Sequence, residues 1–226
     1  MGNQKISDKL QQVYDRLFKE YGPQHWWPAS EPFEVVAGAI LTQSTAWTNV
    51  EKALSNLKAA GKLTPAGLRS LSYKELAELI YPCGYYHVKA RRLKAFAEWL
   101  SEKYRDDLDR LFENDFESLR KQLLGVYGIG EETADSIILY AGNKPAFVID
   151  AYTRRIVDRL GLTPQEKSYT GYQKIFTSNL PADARLFNEY HALLVRHGKE
   201  SCRKRPVCQS CCLRGLPCPS LPDVNP

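Results

Sequence analysis

The sequence predicts an all-α protein, and three observations carry that reading. Apolar residues recur at i, i+3, i+4 and i+7 along almost the whole of the 226 residues. The two-residue alternation of a strand appears almost nowhere. Gly, Pro, Asn or Asp punctuates the periodic segments. The first helix presents Leu10, Val13, Tyr14, Leu17, Phe18 and Tyr21 on one stripe, with Ser7 as its N-cap and Gly22-Pro23 as its stop. The run FEVVAGAILTQ (33–43) is apolar nearly all round, as a central buried helix requires. Trp47, Val50, Ala53, Leu54 and Leu57 set a further helix between Thr45 and Gly61, and Ser72 with Glu75 forms a capping box. Helices at 88–104, 116–126, 131–140, 152–160, 172–180 and 184–197 complete a set of roughly ten or more. The last stretch, with Pro206, Pro217, Pro219 and Pro222, excludes regular helix.

Composition bounds the function. A hydrophobic fraction of 43% and a charged fraction of 25% are those of a globular protein. No run approaches the roughly 20 apolar residues of a membrane span, and the N-terminal residues lack a secretory apolar core, so the expectation is a cytoplasmic protein without membrane contact. The net charge of +5 favours polyanions. It is concentrated between 196 and 214, where Arg196, Lys199, Arg203, Lys204, Arg205 and Arg214 face only Glu200. Five of the six cysteines crowd into SCRKRPVCQSCCLRGLPC (201–218). A reducing compartment disfavours disulfides there and favours metal. Thiolates alone, with one C-x-x-C, suit either a zinc ion or an iron–sulfur cluster. Cys83, in an apolar context, reads as a packing residue.

The second informative stretch is LLGVYGIGEETADSIILYAGNKPAFVIDAYTRRIVDRLG (123–161). Gly128-Ile129-Gly130 gives the freedom for a tight turn between helices and leaves N–H groups open to a phosphate. With Thr133-Ala134 and then Val148-Ile149-Asp150, the stretch resembles the helix-hairpin-helix and downstream aspartate of the endonuclease III superfamily of DNA glycosylases. AILTQST (39–45), CGYYHVKARRL (83–93) and RHGKESC (196–202) extend the resemblance in matching order over most of the chain.

The resemblance implies a two-lobed helix-hairpin-helix DNA glycosylase fold with a C-terminal iron–sulfur cluster loop. A helical-barrel lobe would span 30–148, and a second lobe 1–29 plus 149–226, with the cluster loop at 202–218. DNA would bind in the cleft between them, its backbone gripped by Gly128, Gly130 and Thr133. Excising a base requires flipping it out of the stack, and Gln43 and Tyr85 stand where the family puts residues that enter the vacated gap. Asp150 stands at the catalytic carboxylate, which would stabilise positive charge on the sugar and orient or deprotonate water; an Asp before AYTRRIVDRL is also a good N-cap.

The family's bifunctional members carry a lysine in the hairpin's second helix that forms a Schiff base with the sugar. Here that position is Glu132, which implies a monofunctional enzyme without an efficient AP-lyase step. Trp26, Trp27 and Trp47 resemble the aromatic pocket of the 3-methyladenine DNA glycosylase III branch, where a cationic alkylated purine stacks between electron-rich rings; Lys199 matches a lysine near that pocket. That branch lacks the cysteines, whereas the endonuclease III family holds a 4Fe–4S cluster there with intervals x6, x2 and x5. Here the intervals are x5, x2 and x6 through Cys202, Cys208, Cys211 and Cys218, the favoured set with Cys212 spare; taking Cys212 as the third ligand instead would give x5, x3 and x5. The cluster would organise the loop and aim Arg203, Lys204 and Arg205 at phosphates. The expectation is therefore a monomeric, nucleoid-associated glycosylase acting on alkylated purines in double-stranded damaged DNA, with an AP endonuclease downstream. An endonuclease III-like enzyme for oxidised, deaminated or mismatched pyrimidines is the alternative, and a non-catalytic lesion binder or a zinc-stabilised module the alternatives of another kind.

Overall fold

The computed structural model describes residues 5–29, 31–216 and 218. Among them are twelve α-helices and no strand. Residue 30, where the sequence reading starts the barrel lobe, and Pro217, Pro219 and Pro222 lie outside the described residues. The chain divides into two compact units, one running to Trp26 and resuming at Pro145, the other spanning Trp27–Lys144.

In chain order the helices are α1 (Ile6–Tyr21), α2 (Pro32–Leu41), α3 (Trp47–Ala59), α4 (Pro65–Ser70), α5 (Tyr73–Leu79) and α6 (Tyr86–Tyr104). They continue as α7 (Leu108–Phe112), α8 (Phe116–Leu124), α9 (Glu131–Ser136), α10 (Ala151–Arg159), α11 (Tyr169–Thr177) and α12 (Ala184–Glu200). A 3-10 turn, Tyr81–Cys83, precedes α6, and α9 widens into a π-helical turn, Ile137–Ala141. Side-chain oxygens of Thr64, Ser72, Asp107, Asp115, Asp150, Ser168 and Asp183 accept a backbone N–H of the helix each precedes, satisfying donors a helix start leaves open.

Helix α1 departs from expectation. It starts at Ile6 behind an uncapped Lys5, so Ser7 lies in its first turn rather than at the cap. There Asp8 complements the positive end of the helix. Gly22 does stop it, at φ 65. Helix α11 begins three residues before the expected 172, because Ser168 caps it through Gly171 N and puts Tyr169 on the buried stripe with Tyr172, Ile175 and Phe176.

In the unit Trp27–Lys144, Phe33 to Leu41 of α2 are all buried, as an element apolar on every side demands. Gly38 lets Trp27 lie on that helix: a Cβ there would come 2.9 Å from the indole Cζ2. The two buried carboxylates of this core are paired, Glu34 with Lys58 at 2.6 Å and the fully buried Asp135 with Arg120 at 2.7 Å.

The other unit is built on an aromatic stack. Phe147 lies parallel to Phe176 with ring centroids 3.7 Å apart, and Phe187 and Tyr190 meet Phe147 edge-on. The Tyr190 hydroxyl donates to Leu10 O at 2.8 Å, fastening α12 to α1. Phe147 immediately precedes Val148-Ile149-Asp150, so the stack holds the entry to α10. Replacing Phe147 by Ala is expected to cost about 3–5 kcal/mol, read as a lowered urea midpoint by circular dichroism; a shift of under about 1 kcal/mol would deny the stack that role.

Candidate functional site

The hairpin joining α8 to α9 is the first part of the site. Gly128 has φ 83, a left-handed conformation, and a Cβ on it would fall 2.2 Å from Arg92 Cγ. Gly130 has an extended backbone that any residue adopts, with open space around its missing Cβ. The turn therefore requires one of its two glycines and tolerates change at the other. Gln43 is fastened to this hairpin: its Nε2 donates to Gly128 O and to Thr133 Oγ1, both at 3.0 Å, and its Oε1 accepts from Arg92. Thr133 is buried, so its hydroxyl serves the hairpin from within rather than from the surface. Tyr85, by contrast, is 75% exposed, and its φ of 46 places it in the left-handed region just before α6. Tyr127, at 60% exposure, adds a ring to the hairpin turn that the sequence reading passed over.

The aromatic candidates separate into two groups. Trp27 packs edge-to-face on Trp47 with centroids 4.9 Å apart, and Tyr140 lies 5.2 Å from Trp27. Tyr140 was missed because it sits in the π-helical turn, whose register a 3.6-residue period does not give. Trp26 belongs to the other unit, where it lines a shallow groove with Gln24, Val195, Arg196 and the exposed Lys199. The Arg196 guanidinium lies over the Tyr21 ring, 4.9 Å from its centroid.

Asp150 is the N-cap that the sequence reading weighed against a catalytic role, and it also faces a histidine. Its Oδ1 accepts Thr153 N–H at 2.7 Å as the cap of α10, while Oδ2 stands 3.9 Å from Nε2 of the buried His191 on α12. Burial lowers the His191 pKa and the Asp150 charge opposes that shift. His191 was legible only as a residue on the inward stripe of α12; nothing local marked it as facing Asp150.

Helix α10 also holds the cysteine loop. Arg155 donates to Cys202 O at 2.8 Å and Gly198 O at 2.9 Å, while Arg159 donates to Arg203 O at 2.6 Å, Lys204 O at 3.1 Å and Cys202 Sγ at 3.1 Å. Arg203, Lys204 and Arg205 are all exposed. Cys202, Cys208, Cys211 and Cys218 line one pocket together with Val207 and Leu213. Cys212 turns instead towards His197, its Sγ 3.9 Å from Nδ1, and burial with the neighbouring Cys211 pushes its thiol up to about 12. Cys83 is buried, as expected of a packing residue. No three His, Cys, Asp or Glu side chains among the described residues stand close enough to hold a single metal ion. His197, whose Nε2 lies 3.7 Å from Cys211 Sγ and whose Nδ1 meets the Tyr21 hydroxyl at 3.0 Å, is a neighbour of the cysteines that the all-thiolate spacing did not announce. The exposed Glu132 stands in the first turn of α9, where a carboxylate suits the helix's positive end.

Residues 37–182 match the family described as HhH-GPD superfamily base excision DNA repair protein. The chain is 43% identical over 206 residues to a candidate DNA repair glycosylase of Methanocaldococcus jannaschii, covering 90% of this chain and 93% of that protein. It is 30% identical to an endonuclease III of Sulfolobus acidocaldarius, covering 80% of this chain and 79% of that one. Among solved structures it is similar to the 3-methyladenine DNA glycosylase of H. pylori bound to 1,N6-ethenoadenine, with a TM-score of 0.74 and 27% identity over 87% of this chain and 98% of that one.

Two outcomes are expected of this geometry. Gly128→Ala should lose at least about 1–2 kcal/mol by strain at a positive φ and collision with Arg92, while Gly130→Ala stays within about 0.5 kcal/mol of the parent; equal denaturation midpoints for the two would contradict the assignment. Below about pH 6.5 the unfolded chain takes up a proton that the buried His191 refuses, so its contribution to stability is present above that pH and lost as pH falls through the lowered native pKa. Urea titrations between pH 7 and 5 should show a shallower acid loss for His191→Gln than for the parent.

Proposed function

We propose that this chain, which belongs to the HhH-GPD superfamily of base excision DNA repair proteins, is a monofunctional DNA glycosylase that hydrolyses the N-glycosidic bond of alkylated purines. The coarse activity, base excision by a DNA glycosylase, is that of the family. The observation that carries the finer reading is the pairing of Asp150 with an amine-free hairpin helix: α9 opens Glu131-Glu132-Thr133, and a carboxylate cannot form the Schiff base through which a lyase works.

Hydrolysis then runs through water. As the bond from C1′ to the base nitrogen breaks, its electron pair leaves with the base and positive charge develops on the sugar. The Asp150 carboxylate stabilises that charge and accepts the proton of the water whose oxygen bonds to C1′. An N-alkylated purine is cationic, so it departs as a neutral base without needing an acid. The grouping of Trp27, Trp47 and Tyr140 supplies electron-rich faces suited to such a cation, and the likeness to a 3-methyladenine glycosylase supports the same substrate class. Trp26 and Lys199 complete the proposed base-recognition set.

The hairpin at Gly128 to Gly130 would grip the DNA backbone with Thr133 bracing it from inside, Gln43 and Tyr85 would enter the gap left by the base, and Arg203, Lys204 and Arg205 would contact phosphates. Cys202, Cys208, Cys211 and Cys218 would hold a 4Fe–4S cluster. The four line one pocket, and a set of thiolates alone is the donor set of such a cluster. When bound, the cluster would cross-link a loop that has no core of its own. The proposed enzyme acts as a monomer and hands its abasic product to an AP endonuclease. Among the described residues no helix is long and apolar enough to cross a membrane.

A second reading, excision of oxidised, deaminated or mismatched pyrimidines, is favoured by the 30% identity to an endonuclease III. A panel of lesion duplexes decides between them. The cluster-loaded enzyme should release alkylated purine from methylated duplex, Asp150→Asn should be slower by at least about 10²-fold, and borohydride should trap no protein–DNA adduct. Release of only pyrimidine lesions would favour the second reading, and a trapped adduct would overturn the monofunctional assignment.

A further inference from the structure

Lys89 lies on the inner face of α6 with 1% of its surface exposed. A lysine that deep persists only when its amine is fully hydrogen-bonded. Its Nζ donates to Leu41 O at 2.9 Å and to Cys83 O at 2.8 Å. Leu41 is the last residue of α2, two before Gln43; Cys83 closes the 3-10 turn, two before Tyr85. One buried side chain thus joins the starts of both loops proposed to enter the duplex. Charged or neutral, its amine has at least two N–H groups to give, so the bracket does not depend on protonation.

A second observation concerns strain. Each loop holds a residue with a side chain in the left-handed region, Ser44 at φ 56 and Tyr85 at φ 46. Such conformations cost of order 1–3 kcal/mol and last only where their surroundings over-determine them. The carbonyls fixed by Lys89 lie three residues before Ser44 and two before Tyr85, which is where that constraint has to act.

We infer that Lys89 is a positioning residue that sets the spacing of the Gln43 and Tyr85 loops, so that both reach the gap opposite a flipped nucleotide as one rigid pair. The inference rests on the reading of Gln43 and Tyr85 as gap-entering residues, and it is independent of which base is excised.

The test uses the full-length, cluster-containing protein and a duplex carrying a tetrahydrofuran abasic-site mimic with 2-aminopurine opposite it, whose fluorescence rises when it is unstacked by a side chain. Lys89→Met, Gln43→Ala/Tyr85→Ala and the triple variant are compared, with melting temperatures as the control for folding. The expected result is that Lys89→Met weakens the fluorescence-detected complex roughly tenfold and that the triple variant is no weaker than the Gln43/Tyr85 double variant, because Lys89 acts only through those loops. If Lys89→Met does not fold, the comparison is made with Lys89→Gln, whose amide keeps a donor. A double variant with the full signal overturns the gap-entering reading, and the role of Lys89 with it. A double variant that loses the signal while the lysine variant keeps it, or losses that add in the triple variant, overturns the role of Lys89 alone.

Discussion

Guanidinium groups bound to backbone carbonyls are the interaction on which the cysteine-bearing unit depends. Among the described residues after α12 the backbone makes only a few turn hydrogen bonds, so much of their shape is imposed from outside. Arg155 and Arg159, one turn apart on α10, supply four of their hydrogen bonds, three to carbonyls and one to a cysteine sulfur, and Arg155 also holds the end of α12 through Gly198 O. Arginine suits this role because its planar fork donates in several directions without losing its charge. The helix that Asp150 caps is therefore the helix that shapes the loop carrying Arg203, Lys204 and Arg205.

In the unit Trp27–Lys144, order comes from polar groups aimed inward. Gln43 uses both ends of its amide, and Lys89 and Lys94 bury their amines against the carbonyls of other elements. A half-satisfied buried donor costs about as much as several good contacts return, so each of these groups admits few alternative arrangements. A surface that must meet a regular double helix benefits from such limited choice.

Much of this was readable in the sequence wherever the signal was local. The α2 run, the capping box at Ser72, the stop at Gly22 and the Gly128–Gly130 turn each declared themselves within a few residues. Two of the short helices, α4 and α7, escaped because five or six residues carry no stripe, leaving only the caps Thr64 and Asp107 as clues. The start of α11 was misplaced because several polar residues compete for one cap, and that of α1 because it begins behind Lys5 with no side-chain cap to mark it. The site was legible as residue types in an order and much less as a constellation. Asp150 could be found from its context, but not its opposition to His191, forty-one residues on. Gln43 could be singled out, but not its attachment to the hairpin. The clustered cysteines stood out by their spacing, with the third ligand open between Cys211 and Cys212, while the presence of His197 and Arg159 beside them arises from helix packing that no spacing encodes.

In the proposed reaction, the capping bond of Asp150 would have a kinetic meaning beyond helix stability. A free aspartate samples several rotamers, and a reaction that needs one of them must first select it. Here the Thr153 amide removes that rotational freedom during folding, long before any substrate arrives, so the orientational entropy is spent once per protein molecule and not once per turnover. Asparagine caps a helix about as well as aspartate, so exchanging one for the other separates charge from posture.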